Sequence, residues 1–202
     1  MKELKWRTWH DMSIKEYLTM EKELKQYEVG KLKRLFAKLA YLYDISLEEV
    51  ENLDLIEYNE LLEQSKVFFE DMPSMNPLTS IELDDTNFDI MYDLYTYSVE
   101  RYSDIELYLE KHEVYEREIP MFCLMLKNGD YNGNALLGLQ DEVGEMSVVM
   151  FYSCLNFFLR NYVTFKAITT LSTIPMEERT LTTEVEATLT LLSMLYLQTS
   201  IG

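Results

Sequence analysis

Between Met146 and Ile168 the chain runs almost without charge and without a single glycine or proline. Asn156, Arg160, Asn161 and Lys166 interrupt the run, so no window reaches the roughly 18 clean apolar residues that a membrane-spanning helix needs. The pattern predicts one long helix, opened by Ser147 and continuing to about Leu171, with Pro175 breaking it. Over 148–168 this helix is apolar around most of its circumference. Such a helix is stable only when covered on several sides, in a core or in a subunit contact.

The rest of the chain is also written for helices. Six glycines and four prolines in 202 residues are too few for a loop-rich sandwich or barrel. Ser13 with Glu16, and Ser46 with Glu49, form capping boxes, in which a hydroxyl and a carboxylate satisfy backbone N–H groups left open at a helix start. Asp54 with Glu57 resembles a third. The first helix runs to about Tyr27, and Gly30 separates it from a second that carries Leu32, Leu35, Phe36, Leu39, Leu42 and Tyr43. A short helix near 47–52 follows, then one with Leu55, Tyr58, Leu61, Leu62, Phe68 and Phe69, ending before Pro73 and Pro77. Ser98 opens a helix to about Lys111 with Val99, Tyr102, Ile105 and Leu107. Residues 119–127 predict a short apolar helix with Pro120 in its first turn. A short amphipathic helix is expected at 134–142, and Thr183 with Glu186 caps a last one.

One segment has a different period. Ile81 and Leu83, then Phe88 and Ile90, alternate with polar residues around Asp84 to Asn87, which predicts a small β-hairpin. The expected fold class is mainly α: a single helical domain, 1–202, with one small β-hairpin inserted near residues 79–92. A subdivision into N-terminal helices (1–77) and hairpin plus C-terminal helices (78–202) stays open.

Charge narrows the function classes. The net charge is −18, concentrated in residues 41–120, which carry 22 acidic and 4 basic side chains. That excludes ordinary readers of a nucleic-acid backbone and binders of anionic membrane surfaces. The opening MKELKWRTWHDM has neither an apolar run nor a small-residue cleavage site, unlike a secretory signal. Cys123 and Cys154 lie in apolar helical runs and read as reduced core thiols, as expected of a cytoplasmic protein.

Chemistry-bearing motifs are scarce. His112-Glu113 begins like a zinc-protease helix, but Glu116 stands where the second histidine belongs, so a solvated helix end is expected. His10-Asp11 reads as a surface pair ahead of a capped helix. Asp130, Asn132, Asn134 and Asp141 have the oxygen spacing of a calcium loop. Ala135 replaces its sharp-turn glycine and Asp141 its bidentate glutamate, so an Asn/Gly turn between helices is the expectation. No catalytic, cofactor-binding or metal-ligating residue is assigned. Aromatic side chains are the better candidates for function, and Trp6, Trp9, Phe157 and Phe158 are the expected partner contacts, beside adaptable surface from twelve methionines.

Several stretches in order resemble the tail assembly chaperones of tailed bacteriophages and related helical phage morphogenesis proteins. They are WHDMSIKEYL from Trp9, ISLEEVENL from Ile45 with VFFEDMP from Val67, the hairpin IELDDTNFDI from Ile81 leading into SVERYSDIE, and EIPMFCLML from Glu118 with LNFFL from Leu155. The resemblance spans roughly Trp6 to Phe165. The turn Asp-Asp-Thr-Asn departs from it, a glycine being usual there, and nothing from about 183 onward matches. The resemblance implies a non-enzymatic protein that holds tail components before they polymerise. Its partners would be other phage structural proteins, with a homo-oligomer open, in the host cytoplasm during assembly. The alternative is a structural or packaged protein, ring or cargo, kept in the virion.

Overall fold

Helix starts fall where the caps are written. In the computed structural model, which describes residues 2–27, 30–111 and 113–173, Ser13, Ser46, Asp54 and Ser98 each accept a backbone N–H at a helix N-terminus. The helices they open are α1 (Ile14–Lys25), α3 (Leu47–Glu51), α4 (Leu55–Gln64) and α5 (Val99–Leu109). The first three starts are full capping boxes, closed by Glu16, Glu49 and Glu57. Gly30 stands at the N-cap of α2 (Lys31–Tyr43) in extended conformation. The helix expected from Thr183 lies outside the described residues.

Burial does not follow the apolar pattern everywhere. Leu32 in α2, Leu55 in α4 and Val99 in α5 sit in the first turn of their helices and are exposed. The buried side of α2 is Ala37, Leu39, Ala40, Leu42 and Tyr43 instead. α6 (Val114–Met125) starts five residues before the expected 119, so Pro120 lies in its interior rather than its first turn. The Pro120 ring removes one helical N–H, yet neighbours Met121 to Met125 are all fully packed in the core, and that burial holds the helix together.

The hairpin forms as β1 (Ser80–Leu83) and β2 (Thr86–Ile90), antiparallel, with Ile81 opposite Phe88 and Leu83 opposite Thr86. Ile81, Leu83, Phe88 and Ile90 are the buried face. The turn is two residues long, Asp84 and Asp85, both at positive φ (49° and 58°). That is the left-handed pair a tight hairpin demands, and aspartate adopts it less readily than glycine. Asp85→Gly is expected to raise stability by about 0.5–1 kcal/mol, measured by urea unfolding. A third strand, β3 (Leu126–Lys127), joins β2 at the end of α6, through Ile90 opposite Leu126 and Asp89 opposite Lys127. Two residues carry no readable alternation, so sequence periodicity could not announce it.

The expected helix at 134–142 is two short ones, α7 (Gly133–Leu137) and α8 (Gln140–Gly144). α9 (Val148–Thr173) is the long apolar helix. Val148, Val149, Phe151, Cys154, Leu155, Phe158 and Tyr162 are its buried members, and Phe151 stacks on Phe122 of α6 at 4.8 Å. Coverage is confined to this first part: from Val163 to Thr170 each residue is half-buried or exposed. Ser147 does not cap the helix through its side chain, whose buried hydroxyl has no partner among the described residues. The start of α9 is held by backbone instead. Val148 N–H donates to Met12 (2.9 Å) and Ile14 N–H donates to Met146 (2.8 Å), a β-bridge that joins the first turns of α1 and α9.

Both cysteines are free and buried. Burial pushes the Cys123 thiol up to about 12, and Cys154 Sγ accepts the Leu78 N–H. Among the described residues no helix is long and apolar enough to cross a membrane.

Candidate protein-binding surface

Of the four aromatic residues expected to meet a partner, three are core. Trp6 is 8% exposed, stacked on Tyr41 with centroids 5.7 Å apart, and its indole N–H donates to Glu16 (3.1 Å). Trp9 is 4% exposed, edge-on to Phe68, with its N–H donated to the Val67 carbonyl (2.9 Å). The physical reason is the segment ahead of α1. Lys5 N–H donates to the Leu42 carbonyl, and Thr8 with Asp11 makes a capping box around a 3-10 turn at Trp9–Asp11. That turn lays both indoles on the helices rather than into solvent. The same box engages one Asp11 carboxylate oxygen with the Thr8 N–H and hydroxyl, and His10 beside it is exposed. Phe158 is fully buried, between Tyr97 and Tyr162.

Phe157 is the one that faces outward, at 41% exposure. It meets Tyr92 edge-on at 4.9 Å, and Tyr92 is itself anchored by donating its hydroxyl to the Leu78 carbonyl (2.7 Å). Asn161, one turn on, donates its side-chain amide to the Tyr92 carbonyl (3.5 Å). Further along α9, Phe165 takes Tyr95 edge-on at 4.9 Å and Tyr102 at 5.8 Å. Tyr95 is largely exposed, as are Leu107 on α5 and Ile168 on α9. These side chains form an aromatic and aliphatic surface along α9 and the facing side of α5.

A shallow groove of about 400 Å3 crosses this surface between α5 and α9, lined by Tyr102, Ser103, Glu106, Leu107, Glu110 and Lys166. Its fixed point is Glu106. The Tyr162 hydroxyl donates to it, and Lys166 Nζ reaches both its oxygens at 3.0 Å. Burial opposes the charge on Glu106, but the Tyr102 and Tyr162 hydroxyls and the Lys166 ammonium outweigh it and hold the carboxyl below its usual range. The same burial and the same carboxylate push the Tyr162 phenol far up, so it stays a donor. Glu106, Tyr162 and Lys166 satisfy one another. The arrangement offers contact area with a fixed polar anchor, and no nucleophile paired with a base.

Sequence reasoning singled out Phe157 but missed Tyr92, Tyr95, Tyr102, Phe165 and Ile168. Phe157, Asn161, Phe165 and Ile168 share one face of a helix, so the stripe was readable. Which face of an all-apolar helix points outward was not.

The calcium-like spacing does not form a loop. Asn132 caps α7 by accepting the Ala135 N–H (3.1 Å), and Asp141 lies in α8, 3.5 Å from Lys15 Nζ. Among the described residues there is no group of three or more His, Cys, Asp or Glu placed to hold a metal ion. His112 lies outside the described residues. No protein-family model, curated protein or solved structure matches this chain.

Proposed function

We propose that this protein is a non-enzymatic binding protein of bacteriophage morphogenesis, which shelters apolar surface on tail components before they assemble. The observation that carries the binding role is the exposed row of Tyr95, Leu107, Phe157 and Ile168 beside the α5–α9 groove. Exposed aromatic clusters rimmed by polar residues mark protein contacts more often than ordinary surface. The phage assignment rests on the order of sequence elements between Trp6 and Phe165. The partners in this reading are phage structural proteins, met in the host cytoplasm. The excess of acidic side chains keeps the free protein soluble and disfavours contact with acidic surfaces.

The double variant Tyr95→Ser, Phe157→Ser tests the surface. It is expected to keep its helical circular dichroism and to lose at least tenfold in affinity for a co-purifying tail protein, since each anchor contributes about 1 kcal/mol or more. Unchanged capture would remove this face from the interaction. Quantitative mass spectrometry of purified particles and infected-cell lysate tests the assembly role. The expected result is a protein abundant in lysate and absent from particles. A fixed copy number per particle would overturn it in favour of a virion component.

A further inference from the structure

Among the described residues, Arg101 is a buried cation with no counter-ion. It sits in the first turn of α5 and is 4% exposed. Its guanidinium donates to Met91 Sδ and to the Leu126 carbonyl (3.3 Å), and it stacks between two phenol rings, Tyr97 at 5.4 Å and Tyr131 at 4.5 Å. No carboxylate lies within ion-pair distance of it among the described residues. Asp104, one turn on in α5, accepts the Tyr131 hydroxyl at 2.6 Å. A buried guanidinium held only by neutral acceptors and ring faces is costly, and an anion arriving beside it recovers part of that cost.

The fold leaves room for one. Arg101 lines a cavity of about 260 Å3 between the hairpin, β3 and α7, with Phe88, Leu126, Leu136 and Leu139 as apolar wall. Asn132 stands on the same lining. Its carboxamide oxygen is taken by the Ala135 N–H, which leaves its amide N–H2 as a second donor for a ligand oxygen. We propose that this cavity is a binding site for a small organic carboxylate, whose head lies on Arg101 and whose aliphatic body fills the apolar wall. One planar guanidinium matches one planar carboxylate in charge and geometry. A phosphate dianion is a poorer match: it would bring two charges to one cation, with Asp130 on the same lining, and it has no apolar part for the wall.

The test is a titration of the full chain with sodium hexanoate, with hexanamide as the neutral isostere and with inorganic phosphate. Backbone and arginine side-chain N–H resonances in NMR are the readout. Saturable shifts at Ala135 and at the Arg101 Nε–H are expected with hexanoate, at least tenfold weaker binding with hexanamide, and weaker binding with phosphate. Leu139→Trp fills the cavity and leaves Arg101 in place, and it is expected to lower hexanoate affinity tenfold or more. Arg101→Gln is expected to do the same; if it fails to fold, the amide and the Leu139 variant still decide. Non-saturating shifts, equal affinity for acid and amide, or binding unaffected by Leu139→Trp would each overturn the site.

Discussion

Phe158→Ala is expected to lower the unfolding free energy by about 4 kcal/mol, and Phe157→Ala by only about 1 kcal/mol. The two residues are adjacent in sequence and identical in chemistry, and only their environment differs. Phe158 is fully buried on α9, beside Tyr97 and Tyr162, and truncation leaves a cavity whose walls have little freedom to close. Phe157 loses one edge-on contact with Tyr92 and gains hydration where it was already half in water. Urea unfolding of both variants measures the contrast, and thermal midpoints should separate by roughly 10 °C for a chain of this size. Equal losses at the two positions would mean that Phe157 is covered too, by a second subunit.

The second large effect is in pH. Glu118 is a buried carboxylic acid in α6 whose pKa is raised from an ordinary 4.5 to about 7. Burial is the main cause; the Tyr152 hydroxyl, donated at 2.6 Å, and the charge of Arg117 oppose it without winning. Tyr17 and Glu21 of α1 face the same cluster. Between pH 4.5 and about 7 the folded protein holds a proton that the unfolded chain has released. This group's contribution is therefore complete below 4.5 and is lost as pH rises to about 7 and beyond, in total about 3 kcal/mol. Glu118→Gln removes the titration. The variant is expected to gain about 2–3 kcal/mol on the natural protein between pH 5 and pH 8. Urea melts at the two pH values measure this, because the remaining carboxylates are common to both proteins and cancel in the difference. A constant offset between the two proteins would show that Glu118 is already ionised in the fold.

The fold was legible where local chemistry decides it. Ser13, Ser46 and Asp54 with their glutamates three residues on mark helix starts because the cap is a short-range hydrogen bond. The Ile81, Leu83, Phe88, Ile90 alternation marks the hairpin because one face must be dry. What was not legible depends on residues far away in sequence. Trp6 and Trp9 looked like free aromatic anchors because they precede the first capped helix in a segment with no apolar periodicity. Tyr41 and Phe68, which cover them, are supplied by α2 and the turn at Lys66–Phe69. β3 exists only because β2 offers it an edge, and α6 runs through Pro120 only because its far end is packed on all sides. Nothing local marks Arg101, which stands between Glu100 and Asp104 in sequence, as a residue that the fold turns inward.

The bridge between Ser13 and Ser147 has a consequence for the order in which the molecule is made. It joins positions about 130 residues apart, and each helix start takes its backbone hydrogen bond from the residue before the other's cap. As the chain leaves the ribosome, α1 emerges long before α9, but the Ile14 N–H at its start waits until Met146 has followed. Closure of this long loop and completion of α1 are thus one event. Such closure is slow relative to local helix formation, because the entropy of bringing distant segments together is spent before the contact rewards it. The nascent chain consequently passes through a long interval in which the indole of Trp6 has α2 to lie on and that of Trp9 has the Lys66–Phe69 turn, while the other side of α1 is still waiting for its cover.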